Sequence, residues 1–211
     1  MFTGIILEIG RIESVTRRKN LILRIDSKIV APKLKIGDSV AVNGACQTVV
    51  ETTESGFGME AIEETLSRTN LGMLKSGDPV NLEAPLSATD MFSGHFVQGH
   101  IDCVGTIISL TPGKGSDVFT IGYPDSYNKY VIEKGSICVD GISLTVIEAR
   151  NGAFSAAMIP HTLENTVMRY RKQGDTVNLE FDMIAKYVER MMSKERSELT
   201  FNFLKEHGFS D

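Results

Sequence analysis

Two histidines and a cysteine are the first residues whose chemistry needs an interpretation. His95 and His100 lie five residues apart, and Asp102 follows closely. Residues five apart in an extended strand point to opposite faces, so these imidazoles do not converge on a metal ion without a turn, and no metal site is predicted. Cys46 is either a nucleophile or a small core residue. No cysteine-hydrolase signature surrounds it, which favours the core.

Composition and motifs argue against several other classes of protein. The chain has 211 residues, of which 42% are hydrophobic and 23% charged, as is typical of a globular protein. The net charge of -5 argues against nucleic-acid binding. Neither a dinucleotide-binding glycine motif nor a P-loop consensus occurs, and Gly113–Ser116 is expected to be a surface turn. The three cysteines have no CxxC spacing, which fits a reducing compartment better than a disulfide framework.

The start of the chain has no basic region, and Glu8 interrupts its apolar run, so no secretory signal is expected. Apolar stretches stay well short of the roughly 20 residues that a membrane-spanning helix needs. We therefore expect no membrane association and a cytoplasmic location.

An internal repeat constrains where the histidines and Cys46 lie in the fold. The segment 39–51 aligns with 136–148, and at the same spacing 77–83 aligns with 174–180. At a slightly shorter spacing, Gly4 aligns with Gly99. Collinear blocks of this length indicate two copies of a complete small domain, because solenoid repeats have much shorter periods.

Each copy has the pattern of a β-domain. Nineteen glycines, only six prolines and many Val, Ile and Thr residues indicate short strands with tight turns, which favours a barrel or a sandwich. Asn43-Gly44 and Asp140-Gly141 are predicted as tight turns that need positive φ. The runs predicted as strands include Ile5–Ile9, Leu21–Ile25, Ser39–Val42 and Val80–Leu82.

Helical segments are expected at three places. Ile62–Leu71 and Ile159–Met168 each suggest one short helix per copy, and an amphipathic helix begins at Met183. A second stretch, Ser197–Glu206, would end near Gly208. The apolar stripe of the amphipathic helix either packs on its own barrel or forms a homo-oligomer interface, and the sequence leaves both open.

Positions that match in the two copies are expected to have the same structural role. Positions at which the copies differ therefore point to specialised roles. Thr48 and Thr145 are matched and are either strand-favouring residues or ligand contacts. The unmatched pairs are Cys46 with Ser143, Ile5 with His100, Gly37 with Lys134, Glu64 with His161, and Phe2 with Val97.

Four short blocks on this duplicated frame resemble the riboflavin synthase family, whose members are built from lumazine-binding domains. The blocks are Met1–Ile5, Gly44–Val49, Gly94–Asp102 and Asp140–Val146, and the similarity covers almost the whole chain, including 64–66 and 162–164. Gln47 departs from the family pattern, which usually has leucine there, as at Leu144 of the second copy.

The resemblance implies an all-β fold of two tandem six-stranded Greek-key β-barrels related by internal duplication, plus a C-terminal α-helix. Residues 1–96 and 97–182 would form the two barrels, and 183–211 a helical segment that assembles a homotrimer. It also implies a transferase of riboflavin biosynthesis that needs no cofactor. Two molecules of 6,7-dimethyl-8-ribityllumazine react by four-carbon transfer, giving riboflavin and 5-amino-6-(ribitylamino)uracil. The reacting pair would lie between the first barrel of one subunit and the second barrel of its neighbour.

Two alternatives stay open beside the enzyme: a non-catalytic lumazine or flavin carrier, and a structural assembly module. A complex with lumazine synthase is also left open.

The resemblance implies catalytic roles for four residues. His100 or His95 would remove a proton from the C7 methyl group of lumazine, and Ser143 and Cys46 would bracket the reacting carbons. Phe2 would pack on a ring face, Thr48 and Thr145 would bind the pteridine edge, and Lys134, Glu64 and Thr162 would reach ribityl hydroxyls or ring carbonyls. The other expected substrate contacts are Gly4, Ile5, Ile6, Gln47, Ile62, Thr65, Gly99, Ile101, Leu144, Ile159, Pro160 and His161.

Overall fold

The computed structural model describes residues 1–195 together with 205 and 208. Six antiparallel strands close the first barrel in the order β1-β2-β5-β4-β3-β6. Their bounds are β1 Glu8–Arg17, β2 Leu21–Asp26, β3 Ser39–Val42, β4 Ala45–Thr52, β5 Gly56–Ala61 and β6 Pro79–Glu83.

The second barrel repeats this topology, closing in the order β7-β8-β11-β10-β9-β12. The bounds are β7 Cys103–Thr111, β8 Asp117–Gly122, β9 Ser136–Val139, β10 Ile142–Arg150, β11 Ala153–Met158 and β12 Thr176–Phe181. The predicted pair of duplicated six-stranded barrels is confirmed.

Alternation of apolar and polar residues closes each barrel around its own core. In β2, Leu21, Leu23 and Ile25 are buried, whereas Arg24 and Asp26 are exposed. The pairing of β4 with β5 shifts its register between Val49 and Glu51, and the pairing of β10 with β11 shifts at the equivalent place. Each barrel encloses a separate cluster of buried hydrophobic side chains, so each copy has the core of a complete domain.

The predicted turns have the expected conformation. Asn43 and Gly44 have φ of 44° and 77°, and Asp140 and Gly141 have φ of 45° and 84°. Each pair joins two antiparallel strands by a two-residue hairpin, which requires positive φ at both positions.

The predicted strand Ile5–Ile9 is wrong over most of its length, because β1 begins only at Glu8. The preceding residues leave the first barrel: Phe2 pairs with Val97, and the carbonyl of Gly4 accepts a hydrogen bond from Ser143. An apolar run alone does not distinguish a barrel strand from a segment that packs on a second barrel.

Each predicted short helix is a helix followed by a 3₁₀ turn. The helices are α1 Glu63–Arg68 and α2 Pro160–Glu164, and the turns are Asn70–Met73 and Val167–Tyr170. Thr69 lies between α1 and the first 3₁₀ turn and has an extended backbone. Its hydroxyl accepts a hydrogen bond from the N–H of Leu71.

Helix α3, Met183–Glu195, follows the second barrel directly. Lys186 pairs with Asp102, and Glu189 lies 2.7 Å from the ammonium of Lys129, so polar contacts hold the helix on the barrel.

Within residues 1–195, 205 and 208, no helix is long and apolar enough to cross a membrane. The expected second helical stretch, Ser197–Glu206, lies outside the described residues except for Lys205.

The two barrels meet through contacts that occur in reciprocal pairs. The side-chain amide of Asn81 donates to the carbonyl of Asp140 at 2.8 Å, and that of Asn178 donates to the carbonyl of Asn43 at 2.9 Å. Asn81 and Asn178 are equivalent in the repeat, as are Asn43 and Asp140. Reciprocal contacts between equivalent residues imply a two-fold relation, so an approximate two-fold axis passes between the barrels.

The same two amides also accept hydrogen bonds across the interface. The Oδ1 atom of Asn81 accepts from the N–H of Val167, and that of Asn178 accepts from the N–H of Asn70. Both side chains are completely buried. Because a buried polar group is stable only when it is paired, each asparagine depends on the opposite barrel for its partners.

Backbone also meets backbone at the axis. A Cβ added to Gly44 would lie 2.5 Å from the backbone nitrogen of Gly141, and one added to Gly141 would lie 2.9 Å from that of Gly44. Glycine at both hairpins is therefore required by this close approach as well as by positive φ.

We expect Asn81→Ala to lower the free energy of unfolding by about 2–4 kcal/mol, because it removes two inter-barrel hydrogen bonds and leaves buried partners unpaired. Chemical denaturation would measure this. Asn20→Ala removes a bond to the exposed Glu60 side chain and should change stability by less than about 0.5 kcal/mol. Equal effects of the two substitutions would contradict the role of the interface.

Candidate functional site

The segment before the first strand of each barrel crosses to the opposite barrel. We call residues 2–7 the first leader and residues 97–102 the second leader. The carbonyl of Gly4 accepts from the N–H of Ser143 at 2.8 Å, and the carbonyl of Gly99 accepts from the N–H of Cys46 at 2.8 Å. Each of the two unmatched residues Cys46 and Ser143 is therefore held by the leader of the other copy.

Glycine is required where each leader meets the opposite barrel. Gly4 and Gly99 have φ of 79° and 81°. An added Cβ would lie 2.6 Å from the Cβ of Ser143 at the first position and 2.5 Å from the Cβ of Cys46 at the second. These distances are shorter than any ordinary carbon contact, so a larger residue would push the leader away from the site.

A buried carboxylate holds each leader. Glu83 accepts from the N–H of Thr3 at 2.7 Å, from its hydroxyl at 2.8 Å and from the N–H of Gly4 at 3.1 Å. Glu180 accepts from the N–H groups of Gln98 and Gly99, both at 2.8 Å. Burial raises the pKa of Glu83 and raises that of Glu180 to about 7, while these backbone hydrogen bonds oppose the shift.

The second leader completes a cavity of about 230 Å³ on the first barrel, which we call the first site. The guanidinium of Arg68 lies 2.6 Å from a carboxylate oxygen of Glu64 across one turn of α1. The amide of Gln47 donates to the carbonyl of Cys46 at 2.7 Å. The lining residues are Ala45, Cys46, Gln47, Glu64, Thr65, Arg68, Thr69, Gly99, His100 and Ile101.

The repeat places an equivalent set of residues at the second barrel, which we call the second site. Three of these residues, Ile6, His161 and Asn165, also line a depression of about 330 Å³ whose other lining residues, Leu7, Glu8, Ile9, Ile29 and Glu164, lie outside the set. The amide of Asn165 lies 3.4 Å from Nδ1 of His161, in the place of the Arg68–Glu64 ion pair. The full set is Gly4, Ile5, Ile6, Ile142, Ser143, Leu144, His161, Thr162, Asn165 and Thr166.

The second site contains a serine–histidine contact. Nδ1 of His95 lies 2.7 Å from the hydroxyl oxygen of Ser143, and the backbone N–H of His95 donates to the carbonyl of Thr3. Burial lowers the pKa of His95, so its imidazole is neutral near pH 7 and can accept the serine proton in the appropriate tautomer. His100 instead lines the first site with Cys46, so the two histidines serve different sites.

Several predicted residues have other surroundings. Phe2 is completely buried with Val97, Ala41 and Cys138, so it supports the leaders from beneath rather than presenting an open ring face. Lys134 is exposed with φ of 63°. Thr48 and Thr145 are exposed on β4 and β10. Ile62, Ile159 and Pro160 are exposed where the short helices of the two copies begin.

The side-chain geometry of the described part of the chain gives no support for a metal site. Among the residues that the structure describes, no group of three or more His, Cys, Asp and Glu side chains could hold a metal ion.

Sequence reasoning missed four residues with a clear place in this geometry. Arg68 and Asn165 lie four residues after Glu64 and His161, the spacing that places two side chains on one helix face, so that spacing was an available signal. Glu83 and Glu180 follow Leu82 and Leu179 at equivalent positions of two strands, and an acidic residue repeated at such a position was a second signal.

Cys46 should be the one reactive thiol of the folded chain. It is partly exposed, whereas Cys103 and Cys138 are buried, and burial raises the pKa of Cys103 to about 12 and that of Cys138 well above its ordinary value. Since the thiolate is the reactive species, an aromatic disulfide reagent at about pH 8 should titrate one thiol per folded chain and three per unfolded chain. Cys46→Ser should abolish the native titration, and a rapid second thiol would contradict the described burial.

Known proteins resemble this chain over nearly its full length. Residues 3–85 and 98–182 each match the family model of the lumazine binding domain. A riboflavin synthase of Actinobacillus pleuropneumoniae is 41% identical, covering 99% of this chain and 100% of the relative. One from Mycobacterium bovis is 45% identical over 91% of this chain and 98% of the relative, and one from Bacillus subtilis is 37% identical over 99% and 100%.

Solved structures share the fold at lower sequence identity. The crystal structure of LumP complexed with 6,7-dimethyl-8-(1'-D-ribityl) lumazine has a TM-score of 0.78 and 21% identity, covering 86% of this chain and 99% of that one. LumP complexed with riboflavin gives a TM-score of 0.80 over the same coverage. At this identity the likeness establishes the two-barrel fold.

Proposed function

This chain belongs to the lumazine-binding domain family, and on that premise we propose that it catalyses the riboflavin synthase reaction. Two molecules of 6,7-dimethyl-8-ribityllumazine react, one giving a four-carbon unit to the other, to yield riboflavin and 5-amino-6-(ribitylamino)uracil. The observation that carries the proposal is the pair of equivalent sites with different polar residues. A dismutation needs two molecules of one substrate in unequal roles, and two copies of one frame with distinct side chains meet that need.

The contribution of binding to the rate follows from this pairing. Holding two substrates in a defined geometry makes a bimolecular step effectively intramolecular, which supplies roughly 7–11 kcal/mol in favourable cases. The proposed contacts differ between the sites. Glu64 and Arg68 offer charges to ribityl hydroxyls or ring carbonyls at the first site, while His161 and Asn165 offer an imidazole and an amide at the second.

We assign the polar chemistry to four residues. His95 accepts the hydroxyl proton of Ser143, which turns the serine oxygen toward bound lumazine as a hydrogen-bonding group or as the activator of a nucleophile. His100 is the base that removes the C7 methyl proton, and Cys46 beside it contacts the reacting carbon at the first site. The anion left by deprotonation is delocalised into the pteridine ring, so a base of ordinary strength suffices.

Ser143→Ala and His100→Ala should each lower kcat by about 10²-fold, the usual contribution of a positioned proton-transfer group. Absorbance of riboflavin formed from lumazine measures this, and Ser155→Ala, on β11 outside both sites, should keep full activity. Near-native turnover of both variants would contradict the assignment. A shifted lumazine spectrum without turnover in the parent protein would favour a carrier, and no binding would favour an assembly module.

We further propose that the functional form is a cytoplasmic homotrimer in which 1–96 and 97–182 act as binding domains and 183–211 as the assembly segment. Helix α3 leaves large apolar side chains exposed, a feature typical of an interface. These side chains are Ile184, Tyr187, Val188, Met191 and Met192, with exposed fractions from 49% to 71%. Association with lumazine synthase stays a prediction.

Introducing Val188→Glu together with Met191→Glu should convert the assembly to monomers, because two charges would be buried in an apolar contact. Sedimentation velocity would measure the mass, and riboflavin formation should fall with it if the reacting pair lies between subunits. Arg190→Glu places the same charge on another face of the helix and should leave the mass unchanged. A parent protein that sediments as a monomer would contradict the proposed trimer.

A further inference from the structure

The carboxylates of Glu83 and Glu180 are buried near the ends of β6 and β12 and have no part in the proposed chemistry. We propose that they are positioning residues that act across the two-fold axis. Glu180 of the second barrel positions the first site through Gly99, and Glu83 of the first barrel positions the second site through Gly4. The proposal rests on the assignment of the two sites given above as the proposed function.

A continuous chain of hydrogen bonds supports the action of Glu180. Its two carboxylate oxygens separately accept the N–H groups of Gln98 and Gly99, and the carbonyl of Gly99 accepts the N–H of Cys46. Two bonds to adjacent N–H groups fix both the place and the direction of that backbone. Gly99, Cys46 and His100 line the first cavity, so the carboxylate determines how the cavity is closed.

The equivalent chain runs through Glu83 to the second site. Thr3 and Gly4 donate their N–H groups to this carboxylate, and the carbonyl of Gly4 accepts the N–H of Ser143. The hydroxyl of Thr3 adds a third bond, which Gln98 does not supply to Glu180. Glu180 therefore makes fewer hydrogen bonds to the second leader than Glu83 makes to the first. The first site should be the more sensitive of the two to the loss of its carboxylate.

Substitution of the Glu83 or Glu180 side chain should leave the barrel that contains it intact. The backbone of Glu180 is paired in register with Cys138, and that of Glu83 with Ala41. A side-chain substitution leaves these ladder bonds in place. The described hydrogen bonds of both carboxylates go to the leaders, so the first structures affected by their loss are the leaders and the sites that they complete.

Glu180→Gln is the direct test, with the labelling rate of Cys46 as a local probe of the first site. Glutamine keeps the size of the side chain but turns an amide toward one backbone N–H, leaving that donor unpaired. Release of Gly99 should raise the rate at which an aromatic disulfide reagent modifies Cys46 by about tenfold. Glu83→Gln is the matched control and should change this rate by less than about twofold, because it acts on the other site.

A reporter at the second site tests the reciprocal half of the proposal. Cys46→Ser combined with Ser143→Cys moves the accessible thiol to the second barrel at the equivalent position. In that background Glu83→Gln should accelerate labelling and Glu180→Gln should leave it nearly unchanged. The crossed pattern is the result that a purely local structural role does not produce.

Cys103 distinguishes local release from global unfolding. It is buried in the core cluster of the second barrel, whereas Cys138 packs with Val97 of the second leader, so Cys103 should remain unmodified while the leader is released and should react together with Cys46 if the chain unfolds. Where Glu180→Gln fails to fold, Glu180→Asp preserves the charge but shortens the reach, and the same acceleration is expected. No acceleration in a folded Glu180 variant, or equal acceleration by both glutamate substitutions, would overturn the proposal. The labelling assay requires no turnover, so failure of riboflavin formation in the parent protein is a separate outcome.

Discussion

Two buried asparagine side chains that find their partners in the opposite barrel are the constraint on which this structure depends. Asn81 and Asn178 each donate to one inter-barrel carbonyl and accept from one inter-barrel N–H. Separation of the barrels would expose these groups or leave them unpaired, so the arrangement has one favourable geometry. That geometry is an approximate two-fold, and it brings the hairpins of Gly44 and Gly141 into backbone contact.

The two-fold arrangement explains why neither site belongs to one copy alone. Phe2 and Val97 pair close to the axis, and each leader continues onto the opposite barrel before returning to begin its own strand. Domain duplication therefore produced two composite sites. Each site therefore combines a strand of one barrel with the leader of the other copy.

Symmetry of the backbone coexists with asymmetry of the side chains. The equivalent positions Cys46 and Ser143 are held by the same backbone hydrogen bond, while of the two only Ser143 has a side-chain hydrogen bond to a histidine among the described residues. Arg68 and Glu64 make the first site charged where the second has an amide and an imidazole. A reaction that treats two identical substrates differently needs such a division, since a fully symmetric pair of sites would give both molecules the same environment.

The sequence by itself determined the duplication, the β-class of each copy and the Asn43-Gly44 and Asp140-Gly141 hairpins, while the choice of a barrel and most of the candidate site residues came from its resemblance to a family. The first three features depend on local turn chemistry, alternation and self-similarity, all of which are visible along one chain. Only the tertiary structure decided that the chain contacts the second barrel at Gly4 before β1 begins and that His95 and His100 belong to different sites. Those outcomes depend on which surfaces meet across the axis, and contacts between residues far apart in the chain leave no periodic signal in the sequence.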